Sequence, residues 1–304
     1  MKLNRNLLKC IGFITGLALL LIFISYFFRR EDDIYVYDSL SVNVKTADIK
    51  AEPDNSLEVL FFGDSESYAS FYPKYLLSEY GYSSFVCGTA AQKVCDSYAI
   101  LRNAFETQSP KVVVMETNCL YRELKSKKDN PDQVMNYLVD KLPVFAYHSD
   151  WKMAARKLLP KSRDVNRRKR KGFIVRKNVI PYKDGKYMHK TNEQLDIDAE
   201  IASYLEQIST LCKEQDAELL LVSTPSPKNW TYKKHNGTKA WADSHNVAYI
   251  DLNLDENIDI DWRTDTKDGG DHLNISGAKK VTAFMGEYFR THYTMTDHRS
   301  KTDQ

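Results

Sequence analysis

The chain has 304 residues, of which 42% are hydrophobic and 28% charged, with a formal net charge of +2. That balance excludes a disordered chain, and a charge so near neutral names no class of partner by itself. The length suits one large domain, or one domain with a sizeable insertion.

The first element is a charge-free apolar run from Ile11 to Phe28. It just reaches the length needed to cross a bilayer, and Leu7 and Leu8 extend it. Lys2, Arg5 and Lys9 precede it, while Arg29 and Arg30 are followed at once by Glu31, Asp32 and Asp33. The positive-inside bias therefore predicts a cytoplasmic N-terminus over 1–10, a transmembrane helix over 11–28 and the remainder outside the cytoplasm. A cleaved signal peptide is the rival reading, but no small-x-small cleavage site follows the run. Residues 29–55 read as a stalk or linker, or as an early strand pair.

A main domain is expected over 56–292, with a C-terminal tail at 293–304. Short continuous apolar runs at Leu57–Phe62, Ser84–Cys87, Val112–Met115, Leu219–Val222 and Val247–Leu252 read as strands of a parallel sheet buried on both faces. Between them, Asp96–Glu106, the segment after Leu195 and Gly277–Arg290 place apolar residues at helical spacing. Thr191 and Gln194 have the spacing of a capping box for the second of these. Strands alternating with helices predict a three-layer α/β/α sandwich around a central parallel sheet.

Residues 120–190 interrupt that alternation. Between Lys152 and Lys177 stand twelve Lys or Arg against one Asp. The stretch reads either as a solvated basic insertion or as a patch that meets anionic headgroups or polymers. Nucleic acid is not expected, because the domain is expected outside the cytoplasm. The five cysteines show no CxxC or zinc-finger spacing, and no metal or cofactor is expected. Cys87, Cys119 and Cys212 read as buried thiols, and a Cys87–Cys95 disulfide is the less favoured alternative.

Two stretches carry chemistry. Gly63-Asp64-Ser65 directly follows the first apolar strand, so the serine stands at the sheet rim where α/β proteins bind ligands. Taken alone, the tripeptide is common and reads first as a turn with a helix cap. Far downstream, Asp268-Gly-Gly-Asp271-His272-Leu273-Asn274 precedes the last helix. A histidine activates a serine hydroxyl when a carboxylate orients its ring. Asp268 and Asp271 are the two candidates, and Asp268 is preferred because adjacent side chains diverge. This stretch by itself is also readable as a helix entry or a weak metal site.

Together, the serine block after the first strand and the Asp/His loop before the last helix resemble the SGNH (GDSL-like) hydrolase superfamily. The resemblance runs over 57–290, apart from the insertion, and implies a flavodoxin-like sheet. It further implies an oxyanion hole from Ser65, from Gly88 in Val86-Cys-Gly-Thr, and from Asn118 in Glu116-Thr-Asn. Gly63, Asp64 and Asn274 would support these residues. This sequence departs from the family pattern in two places: Gly269 stands where a strict Asp-x-x-His would have its Asp, and the GxND form of the Asn block is absent.

An anchor joined to such a domain, with His272-Leu-Asn and Gly277-Ala278, resembles the cell-envelope branch. That branch holds the D-alanyl-lipoteichoic acid transfer, alginate acetylation and peptidoglycan O-acetyltransferase proteins. The resemblance implies O-acetylation of an envelope polysaccharide, with a multi-span membrane O-acyltransferase as partner. A deacetylating esterase and a non-catalytic scaffold module stand as the alternatives.

Overall fold

The computed structural model describes residues 5–27, 40–124, 169–254, 256 and 258–299. The chain divides into two compact units, Met1–Leu40 with Lys125–Ser162, and Ser41–Leu124 with Arg163–Gln304. Of the basic insertion, residues 125–168 lie outside the described residues.

In the first unit, α1 spans Arg5–Phe27. Its apolar side chains, among them Ile11, Phe13, Ile14, Leu17, Leu20 and Phe23, are exposed. Among the described residues no helix is long and apolar enough to cross a membrane. The transmembrane helix expected over 11–28 is therefore not found among the described residues.

The second unit is an α/β sandwich around five parallel strands in the order β2-β1-β3-β4-β5. These are β1 Val59–Phe62, β2 Ser84–Val86, β3 Val112–Glu116, β4 Glu218–Ser223 and β5 Ala248–Asp251. Every residue of β1, β2 and β3 is buried, which is why these strands read as unbroken apolar runs. Leu60 pairs with Phe85 on one side and Val113 on the other.

Side chains alternate between two cores. Leu60, Phe62, Val113, Met115, Leu219 and Leu221 face one layer of helices, α2 (Leu40–Lys50), α5 (Val94–Ala104), α6 (Ala199–Glu214) and α7 (Tyr232–His245). Val59, Phe61, Val112, Val114, Leu220 and Val222 face the other, built around α4 (Pro73–Tyr80) and α8 (Ile275–His292) with Phe71 from the end of α3 (Ser65–Ser70). Strand order reverses direction between β1 and β3, so the rim beyond those two strands is the crevice such sheets offer to ligands.

Three expectations give way to the structure. The segment expected as stalk or strand pair carries α2, and its Ile49 is fully buried against the domain core. The capping box expected at Thr191 does not start a helix. Thr191 closes a local turn to Glu193, and the cap of α6 is Asp198, seven residues after Thr191, accepting from the Glu200 N–H at 2.9 Å. The C-terminal tail docks on the domain: the Thr296 and His298 N–H groups donate to the Glu58 carboxylate at 2.9 Å and to the Gly81 carbonyl at 2.7 Å. All five cysteines are free thiols, so Cys87 and Cys95 form no disulfide. Burial pushes the Cys87 thiol up to about 12, which keeps it protonated and inert.

Candidate active site

β1 ends at Phe62, and Gly63 turns the chain at φ +130°. A Cβ at Gly63 would come within 2.7 Å of the Glu116 Cβ at the end of β3, so only glycine lets the two strand ends lie this close. Asp64 then caps α3, accepting from the Glu66 N–H at 3.0 Å. Its second oxygen accepts from the Asn118 amide at 2.9 Å and the Arg122 guanidinium at 2.7 Å. Asp64 is fully buried, and these charge-assisted bonds compensate its lost hydration. Ser65 is consequently fixed as the first residue of α3, at the rim.

His272 reaches the same place from the loop before α8. Thr266 and Leu273 pair in an antiparallel bridge, and Gly269 and Gly270, at φ +74° and +87°, turn the chain between them. The turn brings Asp268 beneath the ring. One Asp268 oxygen accepts the His272 backbone N–H at 2.7 Å, and the other lies 2.9 Å from Nδ1. His272 Nε2 stands 2.8 Å from the Ser65 hydroxyl oxygen. Burial raises the Asp268 carboxyl, but hydrogen bonds from the His272 N–H, Lys267 and the His272 ring outweigh it, so its pKa lies below the ordinary value. An ionised Asp268 accepts only, so Nδ1 carries the proton and Nε2 is left to accept from the serine.

The second candidate carboxylate, Asp271, is 3.5 Å from Nδ1 and instead receives the Asn229 amide at 2.6 Å. Asn274 caps α8, accepting from the Ser276 N–H at 2.9 Å, and its amide donates to the Thr264 carbonyl at 2.7 Å. It anchors the loop that carries His272.

Gly88 follows β2 and lies against the Ser67 hydroxyl and the Gly63 and Asp64 carbonyls. Among the described residues, the N–H groups of Ser65 and Gly88 meet no acceptor. Asn118 reaches the rim from the turn after β3, yet its amide is committed through one hydrogen to Asp64, and its oxygen accepts from Lys234 at 3.4 Å.

Sequence reasoning missed a network beneath the site. Glu66 is buried, accepting from the Ser226 hydroxyl at 2.9 Å and the Asn229 amide at 2.7 Å. Ser226 also donates to the Asp271 carbonyl at 2.7 Å, which clamps the His272 loop onto the loop after β4. Burial, then the nearby charges of Glu116 and Asp64, raise the Glu66 pKa well above its ordinary value. Burial and Asp64 do the same to Glu116. Asn229 reads in the sequence as a glycosylation sequon. Its position just beyond a parallel strand was the available signal.

Glu66, Asp271 and His272 could bring one donor atom each within 4.8 Å of one another. The Asn229 amide, however, already sits on both carboxylates, and the imidazole is held by Asp268 and Ser65. Three other histidines find carboxylates that their sequence spacing hides: His235 Nδ1 lies 2.8 Å from Asp251, and His245 and His298 Nε2 lie 3.4 Å and 3.5 Å from Glu206 and Glu58.

No protein-family model and no curated protein matches the chain. Among solved structures, the chain is similar to a GDSL-like lipase from Bacteroides thetaiotaomicron, at 12% identity and a TM-score of 0.42, over 83% of this chain and 98% of that one. It is similar to a lipase/acylhydrolase from Enterococcus faecalis at 11% identity and 0.43, over 79% and 98%. An acetyl xylan esterase aligns at 15% identity and 0.40, over 76% and 99%. At such scores these likenesses say nothing of what this chain acts on, and the chemistry has to come from its own side chains.

Proposed function

We propose that this chain transfers acyl groups through an acyl-serine intermediate on Ser65. The observation that carries the reading is the unbroken line of hydrogen-bond contacts from Ser65 through His272 to Asp268. Ser65 Oγ attacks an ester carbonyl while His272 Nε2 takes its proton. The carbonyl oxygen becomes an oxyanion, facing the free N–H groups of Ser65 and Gly88. The second Asn118 amide hydrogen joins them. Collapse breaks the bond to the alcohol, which leaves with the proton from His272. An incoming hydroxyl then gives its proton to His272 and attacks the acyl-serine, and His272 returns that proton to Ser65. Asp268 keeps the ring in the required tautomer throughout.

In the finer reading the incoming hydroxyl belongs to an envelope polysaccharide and the acyl group is acetyl. A multi-span membrane O-acyltransferase would supply that group. The exposed apolar run of α1 from Ile11, preceded by Lys2, Arg5 and Lys9, supports attachment to a membrane. Hydrolysis by water at the same residues is the alternative outcome of the second step.

The test uses the full chain in detergent with p-nitrophenyl acetate. Release of nitrophenol that vanishes in Ser65→Ala is expected, with acetyl passing to an added glycan. Turnover that survives Ser65→Ala would contradict the reading. Release that no glycan accelerates would leave an esterase.

A further inference from the structure

Residues 172–182 form an extended strap along the site, without helix or strand. It is tied down at close intervals. The Ile174 N–H donates to the Tyr68 carbonyl at 3.2 Å, and the Ile275 N–H donates to the Arg176 carbonyl at 2.8 Å. The Gly269 N–H donates to the Ile180 carbonyl at 2.8 Å, and the Tyr182 N–H to the Trp262 carbonyl at 3.0 Å. At its start Phe173, almost fully buried, stacks on Tyr72 with ring centroids 4.3 Å apart. These bonds place Arg176 between α3, which carries Ser65, and the first residue of α8, three positions beyond His272.

Arg176 is half-buried, and its guanidinium meets no carboxylate or carbonyl among the described residues. The other cations near the site are engaged: Arg122 with Asp64, Lys267 with Asp268, and Lys234 with the Asn229 carbonyl at 2.6 Å. Asp64 and Glu66, the acids of the turn into α3, are buried and held by their own donors. Tyr68 lies on α3, three residues beyond the nucleophile, and its carbonyl receives the Ile174 N–H of the strap. Burial raises its phenol pKa, while the Arg176 charge and the Ser65 hydroxyl both oppose the rise. A guanidinium that has lost part of its hydration and faces no protein anion among the described residues is suited to a ligand's anion, which its planar fork holds through two bonds.

We propose that Arg176, with Tyr68 on the neighbouring α3, is a subsite for a carboxylate or phosphate carried by one of the two reaction partners. The charge sits either on the acyl donor or on the alcohol that receives the acyl group. This rests on Ser65 being the acylated residue.

Two arms separate the sources. For the donor, kcat/KM is compared between p-nitrophenyl hemisuccinate and p-nitrophenyl acetate. For the acceptor, acetyl transfer to glycerol 3-phosphate is compared with transfer to glycerol. The full-length protein should prefer the charged member of one pair about tenfold. Arg176→Gln should bring that ratio to about one, and Arg176→Lys should keep part of it. Ratios near one in both arms, or a preference that Arg176→Gln leaves intact, would overturn the subsite.

Absence of any Ser65-dependent turnover would instead overturn the catalytic reading. In that case calorimetric titration of Ser65→Ala with monoethyl succinate and with glycerol 3-phosphate decides the subsite. Binding of either probe, weakened about tenfold by adding Arg176→Gln, would support it. No binding of either, or binding indifferent to Arg176, would sink it.

Discussion

The rim around Ser65 has two sides that are held by different forces. Ser65, Gly88 and Asn118 follow β1, β2 and β3, so their places are set by a sheet whose strands are buried on both faces. His272, Asp268, Ser226 and Asn229 lie in loops. Those loops are held by individual polar contacts, such as the Ser226 hydroxyl on the Asp271 carbonyl and the Lys228 N–H on the Gly270 carbonyl at 3.0 Å. Damage to the first side should therefore appear as lost stability. Damage to the second should appear as lost turnover in a protein that still folds.

The largest effect falls on the residues themselves. Ser65→Ala and His272→Ala should each lower kcat by about 10⁴ or more, and the double variant should lose little beyond either single one. A product of the two losses in the double variant would mean that they do not act as a pair. On the sheet side, Phe61→Ala removes a fully buried ring stacked on Phe71 at 4.3 Å. It should cost about 3–5 kcal/mol in urea unfolding while turnover per folded molecule stays near wild type.

On the loop side, Asp268→Asn should lower kcat by about 10²–10⁴ with a small change in unfolding midpoint, and Asp271→Asn by far less. The reverse order would move the orienting role to Asp271. Asn229→Ala, which frees the His272 loop from Glu66, should lower kcat by about tenfold.

The smallest effect is in pH. Glu66 has a folded pKa raised above 4.5. Its contribution to stability is full below about pH 4.5 and is lost as pH rises through the folded value. Asp268 has the opposite sign: its contribution is present above its ordinary value of 3.8 and is lost as pH falls through the lowered one. Glu66→Gln keeps an acceptor for Ser226 and Asn229 but cannot ionise. It should lose less stability than wild type as pH rises above about 4.5, and an equal loss would remove Glu66 as the cause.

The same division explains what could be read in advance. The five strands are legible because burial on both faces forces continuous apolar runs. Ser65 and His272 are legible because glycine-bracketed turns at strand ends and before a helix are rare places for such side chains. The Asn229–Glu66–Ser226 network is not, because its members are 160 or more positions apart along the chain on one side and of common residue types. His235 finds Asp251 only because α7 packs on β5. Helix α2 escapes because Leu40, Val42 and Val44 alternate as in a strand, and Lys45 and Asp48 stand among its buried positions. Arg176 is hidden for another reason: within a run of like charges, composition cannot single out the one that a strap fixes between α3 and α8.

The central claim is that Ser65 is acylated. Intact-mass measurement after brief reaction of the full chain with p-nitrophenyl acetate, followed by an acid quench, tests it directly. One acetyl increment, mapped to the peptide holding Ser65 and missing from Ser65→Ala, is the expected result. An increment that persists in Ser65→Ala, or nitrophenol release with no increment at any time, would contradict the account.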